Sequence, residues 1–374
     1  MKLKHLEISS FRNHTSTTVE CSDCVNGLIG ENGQGKTNLL EGISYLCLTK
    51  SFFGASDSTV LQIGKNRFAV SGEFVGDSGV RYDVGVRYDA EAKEKEVSVN
   101  RAAIDRSADI IGQFPVVVLS PESNAITAGA PAERRKFMDF VIAQSSRVYL
   151  EDLVEYRRVV KQRNRILLDA KMARTDRSEL LDPWNTELID RGARIMVRRR
   201  AFLAEFQPLV QEAYEKLAGK GEEPTAHYKA SVEHEESTSE EDLRRLFRQE
   251  LERRREEEMQ TATSSVGPHR DELELKMHGL DLRRYASQGQ HKSLLIALKV
   301  AEFFYLQKAR SESPLLLLDD IFGELDACRS ERLLGLIHSL GQAFITSTNE
   351  AVFPADFDWG TRSRKFFVQQ GAVV

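Results

Sequence analysis

Hydrophobic and polar positions divide the chain into three stretches. In the first, Val80, Tyr82, Val84, Val86 and Tyr88 alternate strictly with Arg81, Asp83, Gly85 and Arg87, which predicts a half-buried strand with one wet face. Phe68 and Val70 open its expected partner, joined through a Gly76–Gly79 turn. Lys2–Ser9 reads as a short, partly alternating strand. Val25–Ile29 is an apolar strand that Gly30 ends, and Val116–Leu119 is an unbroken apolar run of the kind covered on both faces.

From Pro131 to about Thr261 the period becomes helical and the charge density rises. Phe137, Phe140, Val141, Leu153 and Val154 fall at helical spacings, and Asp182-Pro183 reads as an N-cap with a first-turn proline. Ile189, Met196, Leu203, Val210 and Leu217 recur every seventh residue, but Gly192 and Arg199 are poor companions for a coiled coil. Pro208 is expected to kink or break the run, and two amphipathic helices of a small bundle are the plain reading. After Thr261, Leu273 and Leu275 suggest a strand, Ser293–Tyr305 a helix, and Leu315–Leu318 and Ala343–Thr346 buried strands. The order β-rich, helical, β/α predicts one α/β nucleotide-binding fold split by a mainly helical insertion, with boundaries 1–130, 131–261 and 262–374.

Composition narrows the class. With 374 residues, 41% hydrophobic and 29% charged, the chain is not of a disordered type. No apolar run reaches the ~18 residues that span a bilayer, so no membrane role is expected. The segment MKLKHLEISSFRNH lacks the apolar core of a secretion signal, which points to the cytoplasm. Cys21, Cys24, Cys47 and Cys328 are too few for a disulfide scaffold, and one Cys-x-x-Cys makes a poor zinc site. The net charge of −5 excludes a general polycation, but charge is segregated within the insertion. Residues 131–200 hold 17 Lys/Arg against 11 Asp/Glu, whereas 221–260 hold 7 against 13. The acidic runs HEESTSEED and ERRREEE read as a solvated loop and helix. The basic excess hints that the first helices face a polyanion.

The motif with chemistry is Gly30-Glu-Asn-Gly-Gln-Gly-Lys-Thr37, which satisfies G-x-x-x-x-G-K-[ST] between a strand and a helix-like run, Asn38–Leu48. Gly30, Gly33 and Gly35 let the backbone turn several N–H groups toward one anion, and the helix N-terminus adds positive potential. Glu31, Asn32, Gln34 and Asn38 complete the cradle. Lys36 is expected to reach the β- and γ-phosphates and Thr37 to ligate Mg²⁺. A loop of this kind needs a carboxylate at a nearby strand end, and Leu315–Leu318 delivers Asp319 and Asp320. Asp319 is expected to hold the metal and Asp320 to polarise the attacking water. Ser287-Gln-Gly-Gln290 opens a second helix N-terminus, and Gly323-Glu-Leu-Asp326 follows the acidic strand.

In this order the elements resemble ABC-type ATPases, and among them the RecF family of recombination-repair proteins. The resemblance rests on Ser10-Phe-Arg-Asn13, NGQGKTNLLEGI (32–43), Ser120-Pro-Glu122, Gly129-Ala-Pro-Ala-Glu-Arg-Arg-Lys-Phe-Met-Asp139, and Gly267-Pro-His-Arg-Asp271 followed by SQGQHKSLLIALKVAE. The 250 residues between Thr37 and Ser287 are too few for the coiled-coil arms of SMC proteins, which share this head fold. The resemblance implies an ATP- and Mg²⁺-dependent homodimer in which Ser287, Gly289 and Gln290 close on the γ-phosphate held by the other copy. It implies slow hydrolysis that is stimulated by DNA and acts as a switch. It further implies work on gapped or junction duplex DNA in the nucleoid, with RecR and RecO, to load RecA. Arg12 either touches the phosphates or is a surface arginine beside Phe11. His269 and Arg270 either contact nucleotide or DNA or hold a turn. Arg134, Arg135 and Lys136 lead a helix whose dipole they oppose, and an anionic partner such as DNA would explain them.

Three departures stand out. Phe52-Phe53 replaces an arginine usual in the family, and Thr346-Ser-Thr-Asn349 replaces the switch histidine of transporters. No residue matches the usual glutamine loop cleanly, and Glu122, after the strand ending at Leu119, is the candidate substitute. The competing readings are the energy-providing subunit of a transporter and a P-loop phosphotransferase, which would not need Ser287-Gln-Gly-Gln290. A nuclease is disfavoured, since no spare carboxylate cluster is visible.

Overall fold

The alternation in the first hundred residues builds an antiparallel sheet. The computed structural model describes residues 1–173, 178–219, 221–360 and 362–374. Contacts divide the chain into two units, one of residues 1–124, 209–222 and 287–374 and another of residues 125–208 and 223–286. The division differs from the boundaries read at 130/131 and 261/262. The Gly267–Asp271 turn and the strand after it go with the helices, and Leu209–Glu222 goes with the strands.

The first unit has two six-stranded sheets. One runs His14–Glu20, Lys2–Phe11, Arg67–Val75, Arg81–Asp89, Glu94–Val99, Ala102–Ala103, all antiparallel. The expected hairpin closes through Gly76 and Gly79, with Val75 opposite Arg81. The other runs Ala372–Val373, Arg364–Gln369, Val25–Ile29, Ala343–Ser347, Leu315–Leu318, Val116–Leu119. It is parallel except for its terminal hairpin. Val25–Ile29, Leu315–Leu318 and Val116–Leu119 are buried at every position, as expected for strands covered on both faces. The helix Lys36–Leu48 packs on strands of both sheets and is buried from Leu39 to Leu48. Gly42 gives the helix its close approach to the sheet, because a Cβ there would stand 2.6 Å from Ile8 Cδ1 and the Ile8 side chain would have to shift.

The second unit contains helices Pro131–Ser145, Arg147–Ala173, Glu240–Arg253 and Arg255–Thr261, together with most of Asp182–Ala218. A three-stranded antiparallel sheet, Leu280–Asp281, Glu272–Met277, Pro224–Lys229, completes it; the third strand is absent from the hydropathy pattern.

Two expectations fail here for clear reasons. One helix, Asp182–Ala218, runs through Pro208 instead of two helices meeting there. Pro208 and Ala204 both face solvent, so the carbonyl that loses its N–H partner can take water instead. The ERRREEE run is solvated except at Glu258, which is 1% exposed and paired with buried Arg163 at 2.6 Å. The poor heptad companions prove to be core: Phe247 occupies the space beside Gly192, and Arg199 is fully buried. Arg174, Asp176 and Arg177, part of the basic stretch, lie outside the described residues. Among the described residues no helix is long and apolar enough to cross a membrane.

Candidate nucleotide site

The phosphate loop leaves the sheet where Gly30 N–H donates to Ser347 O at 3.2 Å. Gly35 sits at the N-cap of helix Lys36–Leu48 with φ 111°, a conformation that L side chains rarely adopt. With no side-chain cap there, the N–H groups of Lys36, Thr37 and Asn38 have no acceptor within the helix, and they converge with the helix dipole on one place. The Lys36 ammonium donates to the carbonyls of Gly30 (2.6 Å) and Glu31 (2.8 Å). Burial lowers its pKa while Asp320 and Asp319 oppose that effect.

The adjoining strand ends bring the acidic group in. The Thr37 hydroxyl donates to Asp319 Oδ1 at 2.7 Å, and the Thr346 hydroxyl donates to the same oxygen at 2.8 Å. Thr346 Oγ1 also accepts the Asp320 N–H at 2.9 Å, with Asp320 at φ +49°. Asp319 is 4% exposed. Burial pushes its carboxyl pKa up against the two hydroxyl bonds, with Asp320 and Glu122 adding repulsion. Asp320 itself is exposed. Glu122 lies in the turn Pro121–Asn124 that follows strand Val116–Leu119. Lys36, Thr37, Asp319 and Asp320 are therefore gathered at one sheet edge by elements some 280 residues apart in sequence, as the 282-residue separation of Thr37 and Asp319 records.

Ser287 caps the helix Gln288–Arg310 in a reciprocal box. Its Oγ accepts the Gln290 N–H at 3.2 Å and its N–H donates to Gln290 Oε1 at 2.8 Å. Gln290 Nε2 donates to Glu222 Oε1 at 2.8 Å, and Gly289 lies against the Arg329 guanidinium. Ser287 is exposed, and none of its hydrogen bonds among the described residues reaches the phosphate loop. In the Gly323–Asp326 segment, Asp326 caps helix Ala327–Leu340 through the Arg329 N–H at 2.9 Å; the Glu324 side chain lies outside the described residues.

Residues 2–358 match the model of the RecF/RecN/SMC N terminal domain. The chain is 41% identical to the DNA replication and repair protein RecF of Chloroherpeton thalassium, across 94% of this chain and 96% of that one. It is 40% identical to that of Salinibacter ruber, across 94% and 86%.

The chain belongs to the RecF family.

Its fold agrees with solved RecF structures. The recombination mediator protein RecF-ATPrS in the RecFOR pathway matches with TM-score 0.91 at 29% identity, over 100% of this chain and 97% of that one. The corresponding RecF-ATP structure matches with TM-score 0.90 at 28% identity, over 100% and 96%. An SMC head bound to the C-winged helix domain of ScpA shares the fold alone, with TM-score 0.56 at 14% identity.

Beyond the phosphate loop, the RecF-family motifs fall in varied surroundings. Arg12 makes a bidentate pair with buried Glu41, Nε at 2.7 Å and NH2 at 2.8 Å, and also donates to Thr59 O. Arg134 corrects the expectation of a DNA contact. It is 3% exposed and paired with Glu272, with a 3.0 Å bond to Gly129 O, so this cation is spent inside the unit rather than offered to a polyanion. Arg135 is half-buried and donates to Asp271 O at 2.7 Å. Of the three, Lys136 alone stands out in solvent, at 77% exposure. The opposition to the helix dipole is thus answered largely by internal carboxylate and carbonyl groups.

His269 holds a turn. Its Nε2 donates to Ser264 O at 3.0 Å, Nδ1 faces Tyr156 OH at 2.7 Å, and burial pushes its pKa down to about 4. Arg270 Nε joins it on the same carbonyl at 2.9 Å while the residue is exposed. Cys24 is buried beside His338, and burial pushes the Cys21 thiol up to about 12, as packed cysteines behave. A stripe missed by the sequence reading lies on helix Arg147–Ala173, where Arg157, Lys161 and Arg165 are exposed at successive i, i+4 positions. Their spacing was legible, but the face they share was not.

Proposed function

We propose that the chain is an ATP-dependent DNA-binding protein of recombinational repair and replication-fork maintenance. The observation that carries the reading is the Lys36–Thr37–Asp319–Thr346 cluster at the mouth of an anion-ready helix, together with a solvent-facing Ser287. The donor set fits MgATP: the hydroxyl of Thr37 and the carboxylate of Asp319 are hard oxygens suited to Mg²⁺, and the loop amides and Lys36 suit phosphates. Bound Mg²⁺ would neutralise phosphate charge that the loop alone leaves unbalanced.

In the chain itself, Lys36 exchanges its two carbonyl partners for phosphate oxygens. Asp320 orients and polarises the attacking water, and Glu122 supports it from the neighbouring turn. Ser287, Gly289 and Gln290 of a second copy close over the triphosphate, so that two copies share each nucleotide. Closure holds duplex DNA against basic helical surfaces, with Lys136, Arg157, Lys161 and Arg165 as phosphate contacts. Binding through the backbone is salt-sensitive and indifferent to sequence. Slow, DNA-stimulated hydrolysis removes the bridge and opens the dimer. In this reading the cycle works at gaps and junctions in nucleoid DNA, with RecR- and RecO-type proteins, in the loading of RecA.

Light scattering of the protein with no nucleotide, with ADP and with a non-hydrolysable ATP analogue, each with and without duplex DNA, tests the reading. A dimer is expected with the analogue alone, and Ser287→Arg is expected to stay monomeric while still binding ATP. A wild-type protein that remains monomeric with saturating analogue and DNA overturns it.

A further inference from the structure

One buried side chain touches the phosphate loop from behind. His14 opens the strand His14–Glu20 and is 0% exposed. Its Nε2 lies 3.0 Å from Gly35 O and its Nδ1 lies 2.9 Å from Thr17 Oγ1. A carbonyl only accepts, so Nε2 carries a proton. The same carbonyl accepts the Leu39 N–H at 3.2 Å, the first hydrogen bond of the loop's helix. The ring therefore grips the residue at which loop becomes helix.

The grip is part of a closed circuit. Thr17 Oγ1 donates to Gly371 O at 3.0 Å, and Gly371 N–H donates to Gln34 O at 2.8 Å. Asn13 Nδ2 donates to that Gln34 carbonyl at 3.0 Å, and its Oδ1 accepts Asn38 Nδ2 at 2.8 Å. The Gln370 N–H donates to Gln34 Oε1 at 2.6 Å. The fit is tight, since a Cβ on Gly35 would stand 2.6 Å from Asn13 Oδ1 and 2.9 Å from His14 Nε2. Burial holds the ring below the ordinary histidine pKa, opposed only by the Gly35 and Gly371 carbonyls. In the neutral ring with its hydrogen on Nε2, Nδ1 accepts, so the one Thr17 hydroxyl hydrogen is shared between Nδ1 at 2.9 Å and Gly371 O at 3.0 Å.

We infer that His14 is a positioning residue of the nucleotide site: its Nε2–H fixes the Gly35 carbonyl and thereby aims the N–H groups of Lys36, Thr37 and Asn38 at the phosphate. This rests on the ATP reading above. A ring that served packing alone would be replaceable by any group of its size, whereas a positioning ring needs its N–H.

The test uses the full chain with His14→Phe, which keeps a ring and removes the N–H, and His14→Gln, which restores a donor. Affinity for a fluorescent ATP analogue with Mg²⁺ is expected to fall roughly tenfold in the Phe variant, the cost of losing one of the two hydrogen bonds that hold the buried Gly35 carbonyl, and to recover largely in the Gln variant. The loss should appear in KM more than in kcat. In nucleotide-free protein, amide exchange at residues 35–39 should quicken in the Phe variant and not in the Gln variant. Should the Phe variant fail to fold, Thr17→Val, which removes the link to Gly371, should weaken binding in the same direction. Wild-type affinity and loop exchange in a folded Phe or Val variant overturn the role of His14. Failure of the wild-type protein to bind MgATP overturns the ATP reading instead.

Discussion

At the scale of single residues, charge inside the helical unit is used for construction. Arg199 donates to Asp139 at 2.8 Å and to Pro268 O at 2.7 Å, and Asp139 also accepts the Tyr149 hydroxyl at 2.6 Å. Asp271 accepts the Ser231 N–H at 2.7 Å and the Tyr228 hydroxyl. Buried ions are tolerable when each has partners of this kind, and removing one partner strands the rest. His269 belongs to the same construction and gives it a pH dependence. Its folded pKa, pushed down to about 4 from 6.5 by burial, means that the unfolded chain binds the proton first. Its contribution is therefore whole above pH 6.5 and is lost as pH falls toward 4. Urea titrations of wild type and His269→Gln should differ less at pH 4.5 than at pH 7, by roughly 2–3 kcal/mol. A pH-independent difference would remove His269 from the account.

What could be read from the sequence at this scale was whatever is local. Gly30 to Asn38 and Asp319-Asp320 announce themselves by spacing, because the chemistry is written in consecutive positions. Arg134 does not, because its partner Glu272 is 138 residues away, and burial rather than type decides what an arginine does. His14 is hidden for the same reason: Gly35 and Gly371 reach it only through the fold.

At the scale of elements, alternation and apolar runs located part of the strands, and His14–Glu20, Glu94–Val99 and Arg364–Gln369 went unread. Val25–Ile29, Leu315–Leu318 and Val116–Leu119 have the bounds read from the sequence, because strands buried on both faces are mostly apolar, and the one polar residue among them, Asn26, is bonded to the carbonyls of Ser22 and Ala343. Helix Asp182–Ala218 was read as two, since the local cost of Pro208 is visible in sequence and its solvent-facing position is not. Strand Pro224–Lys229 escaped notice because its partner Glu272–Met277, not its own pattern, makes it a strand. The exposed stripe of helix Arg147–Ala173 carries a prediction of its own. Lys161→Glu with Arg165→Glu should weaken duplex binding equally for all sequences and flatten the salt dependence by about 2 in log–log slope, near 0.9 per lost phosphate contact. An unchanged slope would place the DNA elsewhere.

At the scale of the whole molecule, strands far apart in sequence become neighbours. Val25–Ile29 lies between Ala343–Ser347 and Arg364–Gln369, and the loop that it launches is fastened by Gln370 and Gly371. The ATP reading, the dimer and the His14 inference all depend on that late-arriving hairpin.

The interleaving sets an order of events during synthesis. The phosphate loop leaves the ribosome early, yet both flanks of its strand follow more than three hundred residues later, roughly 15–60 s at ordinary translation speeds. For that interval Val25–Ile29 has no neighbours in its sheet, and the loop cannot take its finished shape. Stalled chains that stop just short of Arg364 should fail to retain a fluorescent ATP analogue, while chains extruded past Val373 should hold it. A newborn molecule therefore becomes competent for nucleotide abruptly, as the Arg364–Gln369 strand slots home.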